Sequence, residues 1–118
     1  MPPELRPNVA AIIPHWNRRD LLPPLFASLR EQRVPFDETI LVDNGSTDDS
    51  VSLAESLGAR VLRLERNFGF AAAVNRGIEA TSAEWVAILN NDVTLDPDWL
   101  AKIVTGAIDA NSSSTEDI

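Results

Sequence analysis

Four short strand-like runs, Val9 to Ile13, Thr39 to Val42, Arg60 to Leu64 and Trp85 to Leu89, alternate along the chain with stretches whose apolar residues recur at helical spacing. The first run is wholly apolar, the pattern of a strand buried on both faces. After it, Leu22, Leu25, Phe26 and Leu29 fall at i, i+3, i+4 and i+7. Asp20 is placed to cap that helix, and Pro23 and Pro24 lie near its start, where a missing N–H is tolerated. A second helix, capped by Ser46 or Thr47, is expected to stop at Gly58. A third presents Phe70, Val74, Gly77 and Ile78 on one face. A fourth opens on Asp96-Pro97, an N-cap followed by proline at N1, with Leu100, Ile103, Val104 and Ala107 on its buried side. Strands that alternate with helices are joined by right-handed crossovers. The expected fold is therefore three-layered α/β/α with a mostly parallel, Rossmann-like sheet.

A chain of 118 residues with 44% apolar residues is of a size for one folded domain. Its expected limits are 9–108. Residues 1–8, with three prolines, read as an extended arm, and 109–118, ending in "ANSSSTEDI", as a disordered tail. The formal charge of −8 and a pI near 4.4 argue against nucleic-acid binding through a basic surface. An anionic ligand must then be held locally, by helix ends or by a cation. The absence of cysteine removes disulfides and thiolate zinc sites from consideration and is compatible with an intracellular setting. No apolar stretch nears the ~18 residues needed to span a bilayer, and Met-Pro-Pro-Glu does not resemble a signal peptide.

In an open parallel sheet, ligands sit beyond the carboxyl ends of the strands. Each strand here ends in polar or special residues: "PHWN", "DNGSTDD", "ERNFG" and "NND". Every one of these has a plain structural reading beside a functional one. Asp43-Asn44-Gly45-Ser46 is good turn chemistry, yet the Asp43 carboxylate and Asn44 amide could also bind a base or sugar. A lone His15 at a strand end is ordinarily a satisfied polar residue. Trp16 either covers the sheet edge or stacks on a heterocycle. The small residues of "RNFGFAAAVNRGIEA" allow close backbone approach to a diphosphate or to the sheet, with Asn75 in want of a partner. That spacing is neither GxGxxG nor a P-loop. Asn90-Asn91-Asp92 offers one carboxylate, a thin metal site unless a diphosphate supplies the remaining oxygens.

Taken in order, "IIPHWNRRDLL", "ILVDNGSTDDS", "RNFGFAAAVNRGI" and "AILNNDVTLDPDWL" resemble the family 2 glycosyltransferases, in particular bacterial rhamnosyltransferase-like members. The resemblance runs from Val9 to Ala107 and covers that family's nucleotide-sugar-binding part, which has the GT-A fold. It implies that Pro14, His15 and Trp16 border the nucleobase, with Trp16 stacked on uracil or thymine. It further implies that Asp43 and Asn44 bind base or ribose, that Gly69 and Asn75 line the donor pocket, that Asn91 lies near the ribose, and that Asp92 ligates Mg2+ or Mn2+. The implied reaction is inverting transfer from a UDP- or dTDP-linked sugar to a hydroxyl of a glycan or lipid-linked acceptor, as in polysaccharide biosynthesis. The implied location is cytoplasmic or peripheral at the inner membrane face.

Two departures stand out. Asparagines at 90 and 91 leave a single carboxylate in the metal motif, and the family's catalytic base lies downstream of these residues. The chain is expected to be a fragment without efficient transferase activity of its own. The competing readings are a non-catalytic nucleotide-binding or interaction domain, which could dimerise along an exposed sheet edge, and a sugar nucleotidyltransferase-like domain. The latter wants a glycine-rich loop after the first strand, where "PHWNRRD" has none. A phosphoacceptor receiver domain wants an acidic pair at the same place.

Overall fold

The computed structural model describes residues 6–113, with side chains from 6 to 106. Strand β1 (Val9–His15) leads through a short 3-10 turn, Arg19–Leu21, into helix α1 (Leu22–Arg30). Then follow β2 (Glu38–Asp43), α2 (Ser50–Ser56), β3 (Arg60–Arg63), α3 (Phe70–Ala80), β4 (Trp85–Ile88) and α4 (Trp99–Ser113). The four strands are parallel throughout, in the order β3-β2-β1-β4, with Ile12 opposite Ile40 on one side and Ile88 on the other. The expected α/β/α architecture is the one observed.

β1 is the axis of the molecule. Ala10, Ala11, Ile12 and Ile13 are wholly buried, and each buried Ile contributes about 1.5–3 kcal/mol. Ala11 and Ile13 face a cluster made with Leu22, Leu25, Phe26, Leu41 and Ala54, so α1 and α2 lie on that face. Val9 meets Leu100 and Val104 of α4. Ala10 and Ile12 face the other way, with Ile40, Val42 and Ala73 of α3. The chain runs outward from β1 to β2 and β3, then crosses over the sheet through α3 to reach β4 on the far side of β1. The strand order therefore reverses between β1 and β4, which makes the gap at their carboxyl ends the topological switch point.

Pro14 helps to open that gap. His15 O accepts from Asn44 N–H on the β2 side, so the neighbouring Pro14 presents its backbone toward β4. Pairing with β4 has already ended at Ile12–Ile88. The missing proline N–H thus falls where no ladder bond is made.

Several local expectations need correction. Asp20 does not cap α1, whose N-cap is Leu21 without a side-chain bond; Asp20 instead pairs with Arg18. Neither Ser46 nor Thr47 caps α2, which starts only at Ser50, because both are bound by neighbouring loop residues. Asp96 and Pro97 precede α4, which starts at Trp99, so proline is not its first residue; the Asp96 carboxylate accepts the Asp98 N–H at 3.0 Å in the turn that leads into the helix. On that helix Leu100 and Val104 are buried, but Ile103 is exposed, and the side chain of Ala107 lies outside those described. On α3 the expected apolar face holds only in part, with Gly77 buried and Val74 half-buried. Phe70 and Ile78 are exposed, and Ala73 and Gly77 form the buried side. The helix lies so close to the sheet that only small residues fit beneath it.

The terminal expectations fare differently. Of the arm, 6–8 are tied down: Arg6 pairs with Asp37, and the Asn8 N–H donates to Glu84. Residues 1–5 lie outside those described. Of the tail placed at 109–118, 109–113 continue α4, and 114–118 again lie outside.

A Cβ built on Gly77 would stand 2.4 Å from Ile12 Cγ2 and 3.3 Å from Val42 Cγ2, whereas one on Gly106 of α4 would meet nothing within 4 Å. Gly77→Ala is expected to destabilise the domain by about 1–3 kcal/mol through overpacking. Gly106→Ala should be neutral or stabilise by up to about 1 kcal/mol. Urea denaturation of both variants tests the pair, and equal midpoints would refute the close packing of α3.

Candidate functional site

The strand ends are bound together by side chains that reach for backbone. At the first, Asn17 adopts a left-handed conformation, φ 53°, which asparagine tolerates better than most residues. From there its Oδ1 accepts the Thr47 and Asp48 N–H groups at 2.7 and 3.3 Å, and its own N–H donates to Ser46 Oγ at 2.9 Å. The loop after β1 therefore grips the loop after β2. At the second, Asn44 grips the loop after β3: Oδ1 accepts the Phe68 N–H and Nδ2 donates to Gly69 O, both at 3.3 Å. Gly45, at φ 79°, brings these two loops into backbone contact. A Cβ there would sit 2.6 Å from Arg66 Cα.

His15 closes the fourth side. It is buried, with its Nε2 2.8 Å from Ser50 Oγ at the start of α2 and its Nδ1 3.1 Å from Asn91 Nδ2 after β4. An amide nitrogen can only donate, so this amide orientation goes with an accepting Nδ1 and a protonated Nε2. Burial lowers the pKa of His15 below its ordinary 6.5, against the opposing pull of Asp43, Asp48 and Asp20. The ring is therefore a neutral tie across the switch point.

The candidate residues consequently divide into two groups. Pro14, His15, Asp43 and Asn44 are buried. The Asp43 carboxylate, expected to meet a ligand, is turned into its own loop, where Oδ2 accepts the Ser46 N–H at 2.8 Å and Oδ1 the Ser46 hydroxyl. Trp16 and Asp92 are exposed and Asn91 is half-buried. Gly69 forms the entry to α3, its N–H held by Asn67 Oδ1 at 2.8 Å. Asn75 is exposed on α3, so solvent satisfies its amide without a buried partner.

Three participants carry no expectation from the sequence, Asn17, Ser50 and Arg18, and Ser46 carries one only as a turn or cap residue. For Asn17 there was a usable signal, an asparagine directly after a strand and aromatic residue, where left-handed backbone is common. The Arg18 guanidinium donates to both Asp20 carboxylate oxygens at 3.0 Å. Its guanidinium pKa is raised chiefly by the hydrogen bond to Asp20 and also by the Asp92 charge.

The mouth of the switch point thus holds an aromatic face, a free carboxylate and a guanidinium over a rigid floor. No cluster of three or more metal-ligating acidic, histidine or cysteine side chains occurs among the described residues. A hard divalent ion would find one protein carboxylate, Asp92, and fits only if a bound diphosphate supplies further oxygens. No helix among the described residues is long and apolar enough to cross a membrane.

The depressed pKa of His15 fixes the sign of a pH effect. The unfolded chain takes up the proton first, so the stability associated with the neutral ring is complete above pH ~6.5 and falls as pH drops through the window beneath it. Thermal melts from about pH 7.5 to about pH 5 should show Tm declining on the acid side. His15→Asn, which does not titrate, should flatten that decline. An unchanged slope would assign the effect to carboxylates instead.

Comparison with known proteins gives this geometry its context. The family described as Glycosyl transferase family 2 matches residues 10–114. Dodecaprenyl-phosphate galacturonate synthase of Rhizobium johnstonii is 30% identical over 107 residues, which cover 83% of this chain and 32% of that protein. A mannosyltransferase from Pyrobaculum calidifontis, solved with GDP-Man and Mn2+, superposes with TM-score 0.75 at 27% identity, covering 84% of this chain and 34% of the other. Glucosyl-3-phosphoglycerate synthase from Mycobacterium tuberculosis, solved with Mn2+, UDP and glucosyl-3-phosphoglycerate, gives TM-score 0.73 at 25% identity, covering 86% and 39%. The chain spans about a third of the length of the curated relatives it matches. Matched from the second residue of β1 to just beyond α4, it is a member of the family 2 glycosyltransferases.

Proposed function

We propose that this domain binds the nucleotide-diphosphate sugar of a glycosyl transfer, with the base against Trp16 and the diphosphate near Asp92 and Arg18. The observation that carries this reading is the hydrogen bond between His15 and Asn91. It draws together the two loops whose next residues, Trp16 and Asp92, are the exposed aromatic and acidic groups at the switch point. Trp16, 49% exposed, offers a free indole face suited to base stacking. The solved relatives held Mn2+ with a nucleotide, and here a divalent ion would be shared between Asp92 and the diphosphate oxygens. Such an ion supplies Lewis-acid stabilisation of the departing diphosphate. Arg18 adds positive charge on the same side.

Asp43 and Asn44 enter this proposal in a changed role. They hold the pocket wall in place, and a base or ribose meets them only through the lone pairs their loop bonds leave free. His15 has no free ring nitrogen, while Gly69 and Asn75 border the pocket from the α3 side. Transfer to a glycan or lipid-linked hydroxyl, with inversion, is proposed for the whole protein, because the chain spans only about a third of the length of its curated relatives. The uridine or thymidine preference is likewise proposed, and one solved relative held a guanosine nucleotide instead.

Calorimetry with UDP, dTDP and GDP, each with and without Mn2+, tests the reading. UDP or dTDP is expected to bind more tightly with the metal. Asp92→Ala should abolish the metal dependence. Trp16→Ala should weaken binding by about 1–3 kcal/mol, the usual worth of a base stacked on an aromatic ring. Failure to bind any of the three nucleotides would leave an interaction domain as the better description.

A further inference from the structure

We propose that His15 is a positioning residue for the ligand site: its neutral Nε2–H tautomer fixes the Asn91 carboxamide with Oδ1 toward the crevice, as an acceptor for a ribose hydroxyl. The inference rests on the donor-binding reading above and assigns His15 a role other than bordering the base.

Three observations carry it. First, both ring nitrogens are engaged, Nε2 with Ser50 Oγ at 2.8 Å and Nδ1 with Asn91 Nδ2 at 3.1 Å, and ring and serine are almost completely buried. The imidazole cannot rotate without breaking both bonds. Second, Asn91 Oδ1 has no hydrogen-bond partner among the described residues, while the side chain is only half-buried. An amide whose nitrogen is tied inward presents its oxygen to the other side. Third, the pairing spans β1 and the loop after β4, the two elements that flank the switch point.

The two possible tautomers have opposite consequences. With the proton on Nε2, Ser50 receives it, Nδ1 accepts from Asn91, and the crevice is offered an acceptor. With the proton on Nδ1, the amide must turn over to accept it, and the crevice is offered a donor. One buried ring therefore decides which polarity of ligand group Asn91 can pair with. A ribose hydroxyl can donate to the acceptor form.

The chain contains a single histidine, which makes the test site-specific. On the 118-residue chain, 15N NMR of the imidazole should show an unprotonated Nδ1 and a protonated Nε2 at neutral pH. The reverse tautomer would overturn the proposal. Calorimetry then compares UDP with 2′,3′-dideoxy-UDP, in Mn2+, for the wild type, His15→Asn and His15→Phe. Asparagine keeps an acceptor near the position of Nδ1; phenylalanine fills the volume without one.

The wild type should prefer UDP about tenfold, the worth of one good hydrogen bond. His15→Asn should keep most of that preference, and His15→Phe should lose it while still binding dideoxy-UDP. A merely structural histidine would lower affinity for both nucleotides equally in the two variants. Equal discrimination by the wild type and His15→Phe would sink the positioning role and leave donor binding intact. Failure of the wild type to bind either nucleotide would remove the donor reading and this inference together, whatever the tautomer.

Discussion

The arrangement depends on one constraint, that β1 must be buried from every direction. It is paired along both edges and covered on both faces, with no exposed apolar area among its central residues. A strand so enclosed can carry nothing functional along its length. Chemistry is displaced to its carboxyl end, where the helices stop covering it and Pro14 leaves the β4 side unpaired. His15 is the last residue of the strand, and it is already turned to linking neighbours.

The rest of the ligand edge follows from hydrogen-bond satisfaction. Loops at a strand end expose N–H groups that sheet and helix no longer use, and each must find a partner. Asn17 takes two, Asp43 one, and Asn44 one, while the Asn44 amide nitrogen meets a carbonyl. These short polar side chains do the work that backbone pairing does inside the sheet. The exposed groups, Trp16, Arg18 and Asp92, then project from a floor held by these bonds, and a preformed floor lowers the ordering cost of binding a ligand.

The strand–helix alternation was legible because buried parallel strands leave continuous apolar runs, and nothing else about Val9–Ile13 suggests another structure. The position of the site was legible too, since the switch-point rule needs only the order of elements. The roles within it were less so. A carboxylate following a strand is equally fit to meet a ligand or to close its own turn. Asp43 closes its turn because Ser46 lies three residues on with both an N–H and a hydroxyl to give, and this leaves lone pairs on the same carboxylate for a ligand. The buried side of α3 was misjudged for a related reason. Large apolar residues at helical spacing suggest a buried stripe, yet Ile12 and Val42 fill the space beneath the helix and leave room only for Ala73 and Gly77. Periodicity records which residues are apolar, whereas the distance between layers decides which of them can enter.

The backbone contact between Gly45 and Arg66 has a consequence for how such a domain can diversify. Two loops that would otherwise be separate segments touch without an intervening side chain, and Asn44 bonds one to the other on the same side. They form a single structural unit. A lengthened or transplanted β2–α2 loop would displace the β3–α3 loop with it, so this wall of the crevice is reshaped by changing both loops together. The β4–α4 segment has no comparable backbone contact with those two loops among the described residues. It is joined to the pocket floor through one amide on one imidazole, and its other ties run to the end of α1, where Asp96 O and Pro97 O accept from Gln32 and Arg33.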